Sequence, residues 1–190
     1  MSLHLNQGES ISLSKESPGL KYAGIGLGWD INSSPSGETF DLDASIFMLR
    51  SDRKIPNELF FVFYNNLKSP DGAIEHFGDS RTGEGGGDDE IIEIDLGKVS
   101  LAIEEILFIV TIHESQARDQ NFGKIQNAFI RLYDAATETE VIRYNLQENF
   151  SQETAIEFGK LYRESGEWFF QALGIGYCAD LQKFVKQYAS

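Results

Sequence analysis

Along most of the chain, apolar residues alternate with polar ones, which is the period of strands rather than of helices. Ser10 to Ser14 alternates cleanly, and similar short runs recur at Asp43 to Leu49, Leu59 to Tyr64, Glu90 to Leu96, Ile106 to Ile112, Ala128 to Tyr133 and Val141 to Leu146. Clusters of Gly, Pro, Asn, Asp or Ser separate these runs and read as turns. Ala155 to Arg163 and Glu167 to Leu173 flank Glu-Ser-Gly, which predicts a hairpin with glycine where φ is positive; a helix over its first half is the alternative. Only the tail has helical spacing, at Leu181, Phe184, Val185 and Tyr188, with Asp180 as its N-cap. Eight or nine strands without regular intervening helices predict an all-β antiparallel sandwich with a short C-terminal helix.

The 190 residues fit one domain, expected over 1–190, and 41% apolar with 12% aromatic residues is enough for a sizeable core. A net charge of −14 repels phosphate backbones and anionic lipid, so nucleic acid is not an expected partner. The single cysteine, Cys178, makes neither an internal disulfide nor a Cys-rich zinc site, and a reducing cytoplasm is the expected location. The N-terminus lacks the basic start and apolar stretch of a signal peptide. Unbroken aliphatic or aromatic runs such as Ile106 to Val110 are too short to span a membrane.

The charge is not evenly spread. Between Asp71 and Asp95 lie nine acids (Asp71, Glu75, Asp79, Glu84, Asp88, Asp89, Glu90, Glu93 and Asp95) and one base, Arg81, a net −8 in 25 residues. Read as a long functional loop, this segment needs a counter-charge to fold. Gly83, Gly85, Gly86 and Gly87 in the same stretch permit sharp bends that turn carbonyl oxygens inward. Carboxylates with inward carbonyls are hard oxygen ligands, and no His or Cys cluster competes for a softer metal, so calcium is the ion this chemistry selects. A solvated acidic loop that binds nothing is the plain alternative. Phosphate is disfavoured by sign, because Asp88, Asp89 and Glu90 stand where a phosphate loop needs free N–H groups and a lysine. Asp79 to Glu90 has the length of an EF-hand loop but places Arg81, Gly83 and Glu84 at its third, fifth and sixth positions, where ligands and an obligatory glycine belong. A second acidic group is Asp30, Glu38, Asp41 and Asp43; the last two share one face of a strand.

Other candidates read as structural. His113-Glu114 lacks the second histidine of a zincin helix, since Ala117 stands at that place. His76 lies within the acidic segment, but calcium takes oxygen, so a structural hydrogen bond or a contribution of its backbone carbonyl is expected there. Cys178 has no basic neighbour to activate it, and Trp29, Trp168, Phe169 and Phe170 read as packing.

The ordered set of segments resembles the TerD family of tellurium-resistance and stress proteins. Gly26-Leu27-Gly28-Trp29-Asp30, Phe40-Asp41-Leu42-Asp43-Ala44-Ser45, Asp71-Gly72 with His76, Gly78-Asp79, Thr82-Gly83 and Gly87-Asp88-Asp89-Glu90 carry the likeness. It continues through Ile109-Val110-Thr111-Ile112, Gln120-Asn121-Phe122-Gly123, Asn127-Ala128-Phe129-Ile130-Arg131 and Gly166-Glu167-Trp168. The resemblance implies a cytoplasmic β-sandwich without enzymatic activity that binds two calcium ions close together and serves in resistance to tellurite and other stresses. Carried over by position, the expected metal ligands are Asp30, Asp43, Asp71, Asp79, Asp88, Asp89 and Glu90, completed by carbonyls such as those of Ala73 and Glu75. Family members commonly have an aspartate where this chain has Gly86, and often an asparagine where it has Ser80, which leaves one ion or two open.

The resulting expectation is a non-enzymatic, calcium-binding stress domain whose loaded loop docks or senses other proteins of a stress-response system. A calcium-dependent membrane-surface module is the alternative, with lipid contact only through the ion. A metal-assisted hydrolase needs a general base that neither His113 nor His76 supplies from sequence.

Overall fold

In a computed structural model of the chain, residues 2–31, 40–79, 87–146 and 150–189 are described. The elements in order are β1 (Leu3–His4), β2 (Ser10–Ser12), α1 (Leu13–Glu16), β3 (Tyr22–Ile31), β4 (Leu42–Leu49), β5 (Phe61–Val62) and β6 (Ile74–Asp79). There follow β7 (Glu90–Asp95), β8 (Glu105–Ile112), α2 (Ser115–Arg118), β9 (Ile125–Asp134), β10 (Thr139–Asn145), β11 (Ala155–Glu164), β12 (Glu167–Tyr177) and α3 (Leu181–Tyr188). They form two six-stranded sheets, ordered β1-β10-β9-β3-β7-β6 and β2-β12-β11-β8-β4-β5. Every pairing is antiparallel except β1 with β10. The architecture is the expected antiparallel sandwich.

The alternation read from sequence is what closes it. Ile25, Leu27, Ile92, Ile94, Ile130 and Leu132 of the first sheet meet Ile46, Phe108, Val110, Ile156, Phe158 and Phe170 of the second, each at most 2% exposed. A second apolar layer lies on the far face of the second sheet, where Phe47, Leu107 and Ile109 are covered by Phe184 and Tyr188 of α3. The helix starts as its N-cap predicts, with the Lys183 N–H donating to Asp180 Oδ1 at 3.2 Å. It is pinned where the Tyr188 hydroxyl donates to the buried Glu157 at 3.0 Å. Burial, then the Glu157 charge, pushes the Tyr188 phenol well above its ordinary range.

The predicted hairpin is present, and several other segments differ from expectation. The hairpin forms between β11 and β12 and no helix replaces it; Ser165 and Gly166 both take positive φ, 54° and 81°, as a type I′ turn requires. The first predicted strand stops at Ser12, where the chain turns into α1, and Leu59 to Tyr64 holds the end of a 3-10 turn (Glu58–Phe60) and the two-residue β5. β3, central in its sheet, was hidden by its glycines. The acidic segment is not one loop. Ile74–Asp79 is the edge strand β6, paired with β7, so only residues 80–89 connect the two.

Chain connectivity defines two ends of the sandwich. β3, β6 and β8 finish at the end where β4, β7 and β9 begin, shown by the pairs Asp79 with Glu90, Leu42 with Ile112 and Ile31 with Ile125. The opposite end carries the starts of β3 and β6 and the end of β7, with Tyr22 opposite Asp95 and the Asp95 N–H donating to the Ala73 carbonyl at 2.8 Å.

Candidate carboxylate site at one end of the sandwich

Strand alternation decides where the consecutive acids Asp88, Asp89 and Glu90 go. On β3, Ala23, Ile25, Leu27 and Trp29 face the core, which leaves Gly24, Gly26 and Gly28 on the outward face. A Cβ at these three positions would collide with the Tyr133 ring, the Asp88 carboxylate and the Phe129 ring respectively. The glycine stripe is therefore a trough in which side chains of β9 and the segment before β7 lie flat against the sheet.

In that trough Asp88 is held by Arg131. The Arg131 Nε donates at 2.8 and 3.1 Å to the two carboxylate oxygens and Nη2 donates at 2.7 Å to Oδ2. The hydrogen bond to Asp88 raises the Arg131 pKa against the effect of burial. Arg131 also lies over the Tyr133 ring at 4.6 Å, Arg143 lies over Phe129 at 4.1 Å, and Glu140 bridges the two cations at 3.0 Å from Arg143 and 3.7 Å from Arg131. Sequence reasoning missed Arg131 as the counter-charge. The available signal was a lone cation between Phe129 and Tyr133 in an otherwise apolar alternating strand.

Asp89 behaves differently. Its Oδ2 accepts the Trp29 N–H at 2.9 Å, while its own N–H donates to the Leu27 carbonyl at 2.7 Å, so it is stitched to the end of β3. Burial raises its pKa, and the nearby charges of Asp30 and Asp88 add to that rise against the Trp29 hydrogen bond. Asp30 is brought there by a bulge: β9 spends three residue steps, Gln126 to Phe129, against two on β3, Gly28 to Asp30. Asn127 in the bulge has φ 52°, and its amide donates to Asp30 Oδ2 at 2.6 Å. Asp30 and Asp89 thus each use Oδ2, and among the described residues neither Oδ1 has a hydrogen bond.

Glu90 points the other way, into the sandwich. Its Oε2 lies 2.8 Å from His76 Nε2, and both side chains are 1% exposed. The Gly78 N–H donates to His76 Nδ1 at 3.1 Å, which leaves the ring proton of a neutral imidazole on Nε2, facing the carboxylate. The structural role expected of His76 is thus present, and its partner is one of the expected ligands.

The remaining expected ligands spread further. The Asp79 backbone is in register with Glu90, and its side chain lies outside the described residues, as do Glu38, Ser80, Arg81, Thr82, Gly83, Glu84, Gly85 and Gly86. Asp43 is the second residue of β4 in the second sheet, with Oδ2 3.7 Å from His113 Nδ1. Asp71 is not brought to the group. It sits at the opposite end, where Oδ1 accepts from the Ser69 hydroxyl at 2.6 Å and the Ala73 N–H at 3.1 Å, and Oδ2 accepts from the Ser100 N–H at 3.0 Å. These are the bonds of a turn residue, and β7, at about 3.3 Å per residue, separates Asp71 from the acids at its start.

Among the described residues no group of three or more His, Cys, Asp or Glu side chains is arranged to hold a metal ion. What they do supply is a pair of carboxylates, Asp30 and Asp89, with open oxygens, beside a third already neutralised by arginine. Two hard oxygens fit the start of a calcium shell, which takes six to eight.

Comparison with known proteins agrees with this architecture. The TerD domain family model matches residues 1–188. The tellurium resistance protein TerD of Serratia marcescens is 50% identical over 188 residues, covering 99% of this chain and 97% of that protein. General stress protein 16U of Bacillus subtilis (strain 168) is 45% identical over 188 residues, covering 99% and 97%. The crystal structure of a homologue of telluride resistance protein (TerD) from Streptomyces coelicolor A3(2) shares the fold, with a TM-score of 0.67 at 24% identity over 87% of this chain and 95% of that one. These relatives carry tellurium-resistance and stress names, no enzymatic family is indicated, and no helix among the described residues is long and apolar enough to cross a membrane. The family model over residues 1–188 and relatives 50% and 45% identical over nearly the full length place this chain in the TerD family.

Proposed function

We propose that the protein is a calcium-binding module of a stress response, in which the loaded end of the sandwich docks or senses other proteins of that system. The observation that carries this reading is the meeting of Asp30 and Asp89 from separate segments. Burial and like charge work against ionisation of Asp89, and no cation pairs with either carboxylate among the described residues. A divalent ion there removes the repulsion and clamps the end of β3 to the start of β7. The Asp88–Arg131 pair and the Glu90–His76 pair hold the flanking backbone, so the ion meets a shaped site. Stress resistance is the role that the relatives' names give to those proteins, and its extension to this chain rests on the family.

Calorimetric titration of chelator-treated protein tests the reading. Saturable calcium binding is expected, with magnesium binding more weakly because it demands a tighter octahedron and keeps its waters. Asp30→Asn and Asp89→Asn should each weaken calcium binding while the circular dichroism stays that of a folded β protein. Absence of saturable heat with the unaltered chain, or identical isotherms for folded Asp30→Asn and Asp89→Asn, would refute it.

A further inference from the structure

The end of the sandwich opposite the carboxylates carries positive charge that no described carboxylate pairs. A groove of about 870 Å³ runs there beside the start of β3, the turn after β7 and the β11–β12 hairpin, lined by Lys21, Lys98, Leu101, Glu104, Arg163 and Trp168 among others. This volume is within the range of small-molecule sites. In a chain of net charge −14, the lining holds three cations against one carboxylate.

Among the described residues, two of the three cations have no acid partner. Arg163 donates to the carbonyls of Val99 at 2.9 Å and Ser100 at 3.4 Å and stacks over the Trp168 ring at 4.5 Å. Among the described residues no carboxylate reaches Arg163 or Lys21 within ion-pair distance. Burial lowers the Arg163 pKa, and Glu104 is near enough to act on it only through its field. Lys98 is paired with Asp95 at 3.2 Å, but its side chain is 61% exposed, so that pair opens readily to a better anion. Beside these charges lies apolar surface: Leu101 is 87% exposed at the rim, and the Trp168 ring forms part of the wall.

We propose that this groove binds an organic anion, with a phosphate or carboxylate group set against Lys21 and Arg163 and an apolar body set against Leu101 and Trp168. A guanidinium already fixed by backbone carbonyls and an aromatic face loses little freedom when it receives an oxyanion. An apolar body adds contact that a bare inorganic anion does not have. The long-range field of the acidic chain opposes anions, so the groove favours small ligands held by close contacts, within the Debye length of about 8 Å at physiological salt. The site lies at the other end of the sandwich from the candidate calcium site and does not depend on it.

Trp168 gives the readout, since the chain has only one other tryptophan, Trp29, which is buried at the opposite end. The fluorescence of the full chain is titrated with phenyl phosphate, benzoate, inorganic phosphate and phenol, in calcium and in EGTA. Phenyl phosphate or benzoate is expected to give a saturable change about tenfold tighter than both phenol and inorganic phosphate, and the better of the two identifies the head group. Lys21→Ala with Lys98→Ala, both exposed side chains, should weaken that binding about tenfold without changing the melting temperature. EGTA should leave it unchanged, so failure here and failure of calcium binding are separate results. No saturable change with either organic anion, equal binding of phenol, or binding indifferent to the lysine substitutions would each overturn the proposal.

Discussion

Arg131→Met removes the counter-charge of Asp88 while keeping most of the aliphatic stem over Tyr133. The Asp88 side chain is 4% exposed and that of Arg131 25%. Hydrogen bonds to charged groups contribute about 1.5–3 kcal/mol, and breaking a fully buried ion pair costs about 3–5 kcal/mol. Because the arginine is a quarter exposed, water reaches the vacated position and the lower part of that span applies, about 2–3 kcal/mol. For a chain of this length the loss corresponds to about 4–12 °C in melting temperature. The assay is differential scanning calorimetry in EGTA on the unaltered chain, Arg131→Met, Asp88→Asn and the double variant. Asp88→Asn should cost less than Arg131→Met, since the arginine it releases still has Glu140 at 3.7 Å and partial access to water. The cycle should show a coupling of about 1.5–3 kcal/mol. Calcium should narrow the deficit of Arg131→Met, because a bound cation supplies part of the missing charge. An Arg131→Met protein within about 0.5 kcal/mol of the unaltered chain, with additive single effects, would show that the pair contributes nothing and that the trough does not depend on it.

Gly26→Ala places a methyl group against the Asp88 carboxylate and should destabilise by about 1–3 kcal/mol in a chemical denaturation curve. The control is Gly97→Ala, whose new Cβ meets only Asp95 Oδ1 at 3.4 Å and whose φ is not positive; equal losses at the two sites would refute the trough argument. Glu140→Gln tests the charge bridge through pH. Burial works against ionised Glu140, but hydrogen bonds from Arg143 and Ser2 and the charges of Arg143 and Arg131 hold its carboxyl below the ordinary glutamate range. Its contribution is therefore full above the unfolded pKa of about 4.3 and is lost as pH falls through the lower folded value. Glu140→Gln should cost about 0.5–1 kcal/mol at neutral pH, the deficit shrinking in acid, and a pH-independent deficit would count against the charge explanation.

The calcium reading also sets the two ends of the molecule apart in sequence terms. Asp71 and Asp88 belong to the same acidic run, yet Asp71 closes a turn with Ser69, Ala73 and Ser100 while Asp88 lies in the trough at the other end. A count of charge along the chain adds these residues together, whereas the strand between them keeps them from sharing an ion.

Local patterning by itself determined the inner framework. Leu42–Leu49, Glu105–Ile112 and the β11–β12 hairpin are legible because each apolar face, and the glycine of the turn, is dictated by residues within a few positions. The capped tail helix is legible for the same reason. β3 was not, because its outward positions are glycine for the sake of Tyr133, Asp88 and Phe129, residues 60 or more positions away in the chain. The sequence also determined that three acids stand together at Asp88, Asp89 and Glu90. Only the tertiary structure decided that they part, one to Arg131 on the outer face, one to the end of β3, and one inward to His76. Alternation along a strand is a local property, but the counter-charge that makes each position tolerable comes from another strand. Pairing energies of that kind depend on distances that the order of residues does not contain.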